Sequence, residues 1–180
     1  SQVIKETKGV FKDLTANVKS FELVFGTGGI HGSVNRTSYT SNDKWTIVDV
    51  DVTSYYPSLA IVNNFEPEHL RGLFTSAYAG LKEKRLQYPK GTMLNALYKL
   101  ALNGAYGKSK SEYSPLYDPK FTMQITINGQ LLLCRLFEQL VAINQVVPIQ
   151  INTDGITCYV RKTKIPEFMR VCVEWEKETG

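Results

Sequence analysis

Two acids in this chain stand where metal-assisted chemistry would need them. Asp51 closes the alternating run "WTIVDVD" (45–51), and Asp154 lies in the Asp-Gly turn of "QINTDGITCYV" (150–160). Apolar–polar alternation on both sides of an Asp-Gly pair is the strongest short-range signal of a tight β-hairpin. If the two strands are neighbours, both carboxylates meet at one rim of a sheet. Mg²⁺ takes one or two carboxylates and completes its shell with water and substrate phosphates. Two such ions, about 3.5–4 Å apart, activate an attacking hydroxyl and stabilise a leaving oxygen in phosphoryl transfer. Taken singly, Asp51 equally fits a solvated strand-end acid and Asp154 a plain turn residue, so the rest of the chain must decide.

A second cluster bears on that decision. "YKLALNGAYG" (98–107) sets Lys99, Asn103 and Tyr106 at i, i+4 and i+7, on one helical face. A cation, an amide and a ring sharing a face suit a nucleotide: the ammonium meets phosphates, and the amide and ring border sugar and base. The preceding helix adds Lys82, Lys84 and Arg85, of which Lys82 and Arg85 share a face and Lys84 fits a solvated one. "FGTGGIHG" has glycines at 26, 28, 29 and 32, which calls for positive φ angles or a close backbone approach. It reads most simply as a flexible loop entering a strand. It lacks GxxxxGK[ST] and is not a P-loop.

Composition narrows the classes. A chain of 180 residues, 43% hydrophobic and 21% charged, suits one globular domain with room for a protruding subdomain. No run approaches a membrane span, and no leader pattern suggests secretion. The start at Ser1-Gln2, without Met, suggests a piece of a longer protein. Cys134, Cys158 and Cys172 are scattered and form no CxxC pair, which points to a reducing, cytoplasmic setting and away from zinc or disulfides. His31 and His69 are the only histidines, and neither stands beside a nucleophile, so acyl-transfer triads and His-rich metal sites are disfavoured. A net charge of +4 permits a polyanionic partner without demanding one.

These residues need elements to position them. Residues 3–21 have roughly helical spacing of apolar side chains, interrupted by Gly9. "RTSYTSNDKWTIVDVDV" (36–52) reads as two strands joined through Ser-Asn-Asp. The second strand places Val48, Val50 and Val52 on one face and Ile47, Asp49 and Asp51 on the other. Pro57 fits the first turn of a short helix. Residues 67–88 and 92–107 form an antiparallel helical hairpin, with Met93, Leu94, Leu97, Leu100 and Ala101 as the apolar stripe of its second helix. Residues 120–144 are mostly one long helix, 147–160 the hairpin, and 165–180 a terminal helix with charges opposite Phe168, Val171 and Trp175. The order β-β-(αα)-α-β-β-α fits an α+β domain with a small antiparallel sheet backed by helices.

Three stretches carry a resemblance. "DVTSYYPS" (51–58), "KLALNGAYG" (99–107) and "INTDG" (151–155) resemble, in the same order, the motifs DxxSLYPS, KxxxNSxYG and YxDTDS of family B DNA polymerases. The departures are Tyr55 for Leu, Gly104 for Ser, Asn152 for the first Asp of the third motif and Gly155 for its Ser. "GTGGIHG" resembles the YxGG region of protein-primed phage polymerases, with Gly26 in the Tyr place. "TINGQ" (126–130) resembles a TxxGR primer–template contact, with Gln130 in the Arg place. The short hairpin and these variants look like a phage or prophage enzyme. The resemblance covers roughly residues 22–160.

It implies an α+β palm, with a ferredoxin- or RRM-like antiparallel sheet, and short helical-hairpin fingers. Residues 1–66 would hold the first palm part, 67–107 the fingers and 108–180 the second palm part. Asp51 and Asp154 would be catalytic and would bind two Mg²⁺, for which Mn²⁺ can substitute, with the Val52 carbonyl as a further ligand. Ser54 and Tyr55 would line the triphosphate site through their backbone, and Tyr56 would be a steric gate under the sugar. Lys99 and Arg85, with Lys82, would meet phosphates. Asn103 would place the nucleotide, and Tyr106 would pack near the nascent base pair. Gly28, Gly29, Thr126 and Gly129 would touch DNA. The implied partners are primer–template DNA, a dNTP and the rest of a polymerase chain, with its thumb and an optional exonuclease, and no membrane. Asn152 brings no charge, and Asp49 is a candidate to supply what it lacks. The rival readings are a catalytically decayed nucleic-acid-binding domain, an interaction module, and a reverse transcriptase, which carries paired acids in its hairpin and lacks KxxxNxxYG.

Overall fold

The computed structural model describes residues 9–180. The expectation for residues 1–8 lies outside the described residues. Two compact units emerge: one is Thr53–Asn128, and the other joins the segment ending at Val52 to Gly129–Gly180.

The second unit holds the six strands of the described residues: β1 (Thr15–Val18), β2 (Phe21–Gly26), β3 (Gly29–Ser33), β4 (Trp45–Asp51), β5 (Val146–Ile151) and β6 (Gly155–Arg161). They form one antiparallel sheet in the order β1-β2-β3-β5-β6-β4. The α+β class is as expected, but the sheet is larger than the sequence pattern suggested. Thr15–Val18 is a strand and not the end of a helix, because β1 pairs Thr15–Val18 with Phe21–Val24 across a tight turn. Lys19 and Ser20 take positive φ in that turn. β2 alternates buried Phe21 and Leu23 with exposed Glu22 and Val24, a period of two that the flanking polar residues obscure.

Only one of the two strands expected over 36–52 forms. Residues 35–44 are irregular, held by the Asn42 carboxamide oxygen, which accepts from the backbone N–H groups of Lys44 and Trp45 at 2.9 Å each. β4 behaves as read, with Val48 and Val50 half-buried and Ile47, Asp49 and Asp51 exposed. Its ladder with β6 runs from Trp45↔Arg161 to Asp51↔Gly155. The buried residues of this unit include Ile151, Ile156, Cys158 and Val160 on the strands and Leu133, Leu136, Phe137 and Leu140 further along the chain, with Phe21 tilted on Phe137 at 5.1 Å. The terminal helix α5 (Ile165–Thr179) buries Phe168, Cys172 and Trp175, and the Trp175 indole N–H donates to the Leu132 carbonyl at 2.9 Å. Each such fully buried large apolar side chain contributes about 1.5–3 kcal/mol, enough for these few to dock the helix.

The other unit is helical: α1 (Tyr55–Val62), α2 (Phe74–Leu86), α3 (Met93–Lys108) and the first half of α4, which runs from Pro119 to Ala142. Pro57 sits in the first turn of α1 as expected. The expected helix from 67 starts later. A 3₁₀ turn at Glu68–Leu70 comes first, and Gly72 at φ +82° breaks the run. Glu66 holds this entry, accepting from the Gly72 N–H at 2.8 Å and the Thr75 hydroxyl at 3.1 Å. The core here joins Ala60, Phe74, Tyr78, Leu102, Phe121 and Ile125.

The apolar stripe of α3 was misassigned by pattern alone. Met93, Leu94, Leu97, Leu100 and Ala101 are exposed, and Asn95 and Leu102 face inward. The reason is polar. The Asn95 amide donates to the carbonyls of Arg85 (3.2 Å) and Tyr88 (2.8 Å), tying the start of α3 to the chain just at and beyond the end of α2.

Candidate active site

The sheet unit brings Asp51 and Asp154 to the same end of adjacent strands. Asp51 stands opposite Gly155 in the β4–β6 ladder, and the Val52 N–H donates to the Asp154 carbonyl at 2.9 Å. Both acids are exposed. Asn152 is engaged within the hairpin itself. Its Oδ1 accepts from the N–H groups of Asp154 (3.2 Å) and Gly155 (2.8 Å), an Asx turn that sets the hairpin. A Cβ at Gly155 would lie 3.2 Å from Asp51 Oδ1 and 3.3 Å from Asn152 Oδ1. Glycine therefore leaves these two side chains undisturbed where the related motif has Ser.

Asp49 shares the Asp51 face two residues back, but it accepts from the Thr157 hydroxyl at 2.6 Å. Among the described residues, no three His, Cys, Asp or Glu side chains gather as a metal cage. What the rim presents is a pair of exposed carboxylates on neighbouring strand ends.

The glycine-rich turn is packed against the same hairpin. Gly29, at φ +152°, has the Thr153 side chain where its own Cβ would be, with Oγ1 at 2.8 Å and Cγ2 at 2.9 Å. Thr153 Oγ1 also lies 3.4 Å from His31 Nε2. The Gly26 N–H donates to Gln130 Oε1 at 3.1 Å, and Gln130 is buried. So "GTGG", "INTDG" and Gln130 form one packed corner. Gln130 acts there as a pin for the β2–β3 turn, a role its place in "TINGQ" did not reveal. Thr126 is fully buried, and its hydroxyl donates within the helix to Thr122 O at 3.1 Å. Gly129 is buried as well.

The helical unit carries the other candidates. Ser54 adopts a left-handed conformation (φ 52°, ψ 47°) just before α1, and its carbonyl accepts from Ser58 N–H at 2.8 Å. Its hydroxyl does not cap α1; it receives a short hydrogen bond from the Arg85 guanidinium. Arg85 is thus fixed beside the first turn of α1, where aligned amides favour anions. Lys82 is half-buried one turn earlier on α2, and burial lowers its pKa. Tyr55 is buried and stacks on Tyr56 at 5.8 Å, and Tyr56 tilts against Tyr106 at 4.8 Å.

Burial raises the Tyr106 pKa, and its hydroxyl is buried without a hydrogen-bond partner among the described residues, which costs about 1–3 kcal/mol. Lys110 Nζ lies 4.7 Å over the same ring. Lys99 and Asn103 are exposed on α3, and neither side chain makes a hydrogen bond or ion pair among the described residues.

An antiparallel sheet with two acids at one rim defines a palm-like α+β domain. No family model matches the chain, and no curated protein does. In three dimensions it is similar to the family B DNA polymerase from the hyperthermophilic archaeon Pyrobaculum calidifontis, at TM-score 0.50 and 14% identity, over 79% of this chain and 26% of that one. The likeness is one of fold, and the chain spans about a quarter of that polymerase. No helix among the described residues is long and apolar enough to cross a membrane.

Proposed function

We propose that the chain is the palm-and-fingers part of a DNA-directed DNA polymerase of the phage or prophage type, joining dNTPs to a primer 3′-hydroxyl. The observation that carries this reading is the β4–β6 register, which sets Asp51 and Asp154 on neighbouring strand ends. Asp51 and Asp154, with the Val52 carbonyl, would hold Mg²⁺ or Mn²⁺, and two exposed carboxylates suit a cation that keeps water and phosphate ligands. When bound, the metal supplies activation of the hydroxyl and charge neutralisation at the phosphates.

The chain's own groups do the rest. Arg85, held by Ser54, offers a planar fork to the outer phosphates, with Lys82 on the same face and the backbone of Ser54 and Tyr55 beside it. Lys99 adds a point charge for the triphosphate, and Asn103 helps to place the nucleotide. Tyr56, braced by Tyr55 and Tyr106, is a ring that can refuse a ribose 2′-hydroxyl. Gly28 and Gly29 shape the turn offered to template DNA. Asn152 is read as a turn cap and not as a sign of decay, because the neighbouring Asp154 is retained.

The test is Mg²⁺-dependent primer extension by the longer polymerase chain. Asp51→Ala and Asp154→Ala should each reduce it to background. Extension at the parent rate by either variant refutes the reading, and equal, metal-independent DNA binding by parent and both variants without any extension favours the decayed-domain alternative.

A further inference from the structure

The face of β4 and β6 that carries Asp51 has a second feature at its opposite end. Trp45, Ile47, Asp49 and Asp51 share that face by alternation, and their partners Arg161, Tyr159, Thr157 and Gly155 share it by register. Trp45 stacks on Tyr159 with ring centroids 5.0 Å apart and planes 12° apart, and Tyr39 leans on Tyr159, also at 5.0 Å. The Tyr159 hydroxyl is anchored, donating to Thr40 O at 2.9 Å and accepting from Asn42 Nδ2 at 3.2 Å. The rings are therefore held in place, yet all three are only half-buried, and Ile47 beside them is 42% exposed.

Charge at this end is basic. Arg161 is the register partner of Trp45, and Lys44 and Lys162 follow on the next rung, where the Lys162 N–H donates to Lys44 O at 2.9 Å. None of the ion pairs among the described residues engages these three, and the nearest acid in sequence is the exposed Asp43. A clamp for the 35–44 loop needs only Tyr39 and Tyr159. It does not need a half-exposed tryptophan flanked by unpaired cations.

We propose that Tyr39, Trp45, Tyr159 and Arg161 form a binding patch for single-stranded DNA, with Lys44 and Lys162 adding positive charge at the adjoining strand ends. A fixed ring accepts an unpaired base of any sequence, and flanking cations take its phosphates. The patch lies about 20 Å from Asp51, six residues of strand rise along β4. A strand bound there runs along the open sheet face toward the acids. The inference takes only the identity of the polyanion from the polymerase reading, and its chemistry does not use the acids.

Trp45 also supplies the probe. The chain has two tryptophans, and Trp175 is 4% exposed, so stacking of a base on Trp45 should quench the accessible fluorescence. The 180-residue chain is titrated with a dT oligomer in EDTA, following tryptophan fluorescence and, with labelled DNA, anisotropy. Base–aromatic stacking predicts that Trp45→Ala weakens binding about tenfold. Trp45→Phe, which keeps a ring, should bind nearly as the parent does by anisotropy. Arg161→Ala should flatten the log-affinity against log-salt plot by about 0.7, the value of one single-strand phosphate contact.

Asp51→Ala should leave the quench intact, so a failed patch and a failed catalytic reading are told apart. Equal affinity of Trp45→Ala and parent overturns the proposal. So does equal quenching by inorganic polyphosphate, or a quench that disappears with Asp51→Ala.

Discussion

Replacing Asn152 by Ala and by Asp separates a turn cap from a missing metal ligand. In the parent, Asn152 Oδ1 accepts from two backbone N–H groups, Gly155 at 2.8 Å and Asp154 at 3.2 Å. Alanine removes this one acceptor and with it both hydrogen bonds. Gly155 is buried, so its N–H cannot readily turn to water, and an unsatisfied buried donor costs about 1–3 kcal/mol. Asp154 is exposed, and water can replace its long bond at a cost of about 0.5 kcal/mol. The expected loss for Asn152→Ala is therefore about 2 kcal/mol, or about 4–8 °C in Tm for a chain of this size.

Aspartate keeps the acceptor and strengthens it with charge. It also sets a carboxylate near Asp51, since Asp51 Oδ1 and the position-152 oxygen flank Gly155 at 3.2 and 3.3 Å from its Cβ position. Two exposed charges so placed repel by about 1 kcal/mol in water. The two terms nearly cancel, so in EDTA Asn152→Asp should match the parent within about 1 kcal/mol. Adding Mg²⁺ removes the repulsion and should raise the Asp variant's midpoint more than the parent's. Urea and thermal unfolding followed by circular dichroism read the midpoints, and hydrogen exchange at the Gly155 amide reads the cap locally. An Ala variant as stable as the parent, with Gly155 equally protected, refutes the cap. Equal Mg²⁺ shifts in parent and Asp variant refute the charge account.

Two further perturbations probe the same unit. Gly29→Ala forces a Cβ within 3 Å of Thr153 Oγ1 and Cγ2 at a backbone φ of +152°, and should cost about 1–3 kcal/mol by urea denaturation. Thr153→Gly in the same chain should recover part of that loss; strictly additive effects would show that the two residues do not press on each other. Burial pushes the Cys158 thiol to about 12 and the Cys172 thiol to about 11, while an unfolded thiol ionises near 8.5. The stability this represents is complete below about pH 8.5 and is lost as pH rises toward the folded values, by at most about 1.4 kcal/mol per pH unit for Cys158 and by less for the more screened Cys172. Cys158→Ala should make the alkaline decline shallower, and an unchanged slope would remove this thiol from the account.

What could be read from the sequence follows from how local each feature is. The β5–β6 hairpin, the α2–α3 hairpin and α5 announce themselves because a turn and its flanking pattern lie within one window. The face of β4 bearing Asp49 and Asp51 was legible for the same reason. β1 and β2 were not, because polar residues at 15–20 imitate helical spacing and only pairing reveals a period of two. The exposed leucines of α3 were misread because a polar residue won the inward position. Asn95 closes two carbonyls at the end of α2, and hydropathy assigns no value to that.

At the candidate site, the placement of the two acids at strand ends could be read, but the hydrogen-bonding partners of their neighbours could not. Asn152 looked like a lost ligand because a motif compares residue types, whereas its function here is set by two N–H groups one hydrogen bond away. Gln130 looked like a weakened DNA contact and is a buried acceptor for Gly26. The rings of Tyr39, Trp45 and Tyr159 come from segments more than a hundred residues apart and meet only once β4 and β6 are in register. In each case the missing information was a pairing partner. A departure from a motif therefore carries weight only after the hydrogen-bonding partner of the departing residue is known.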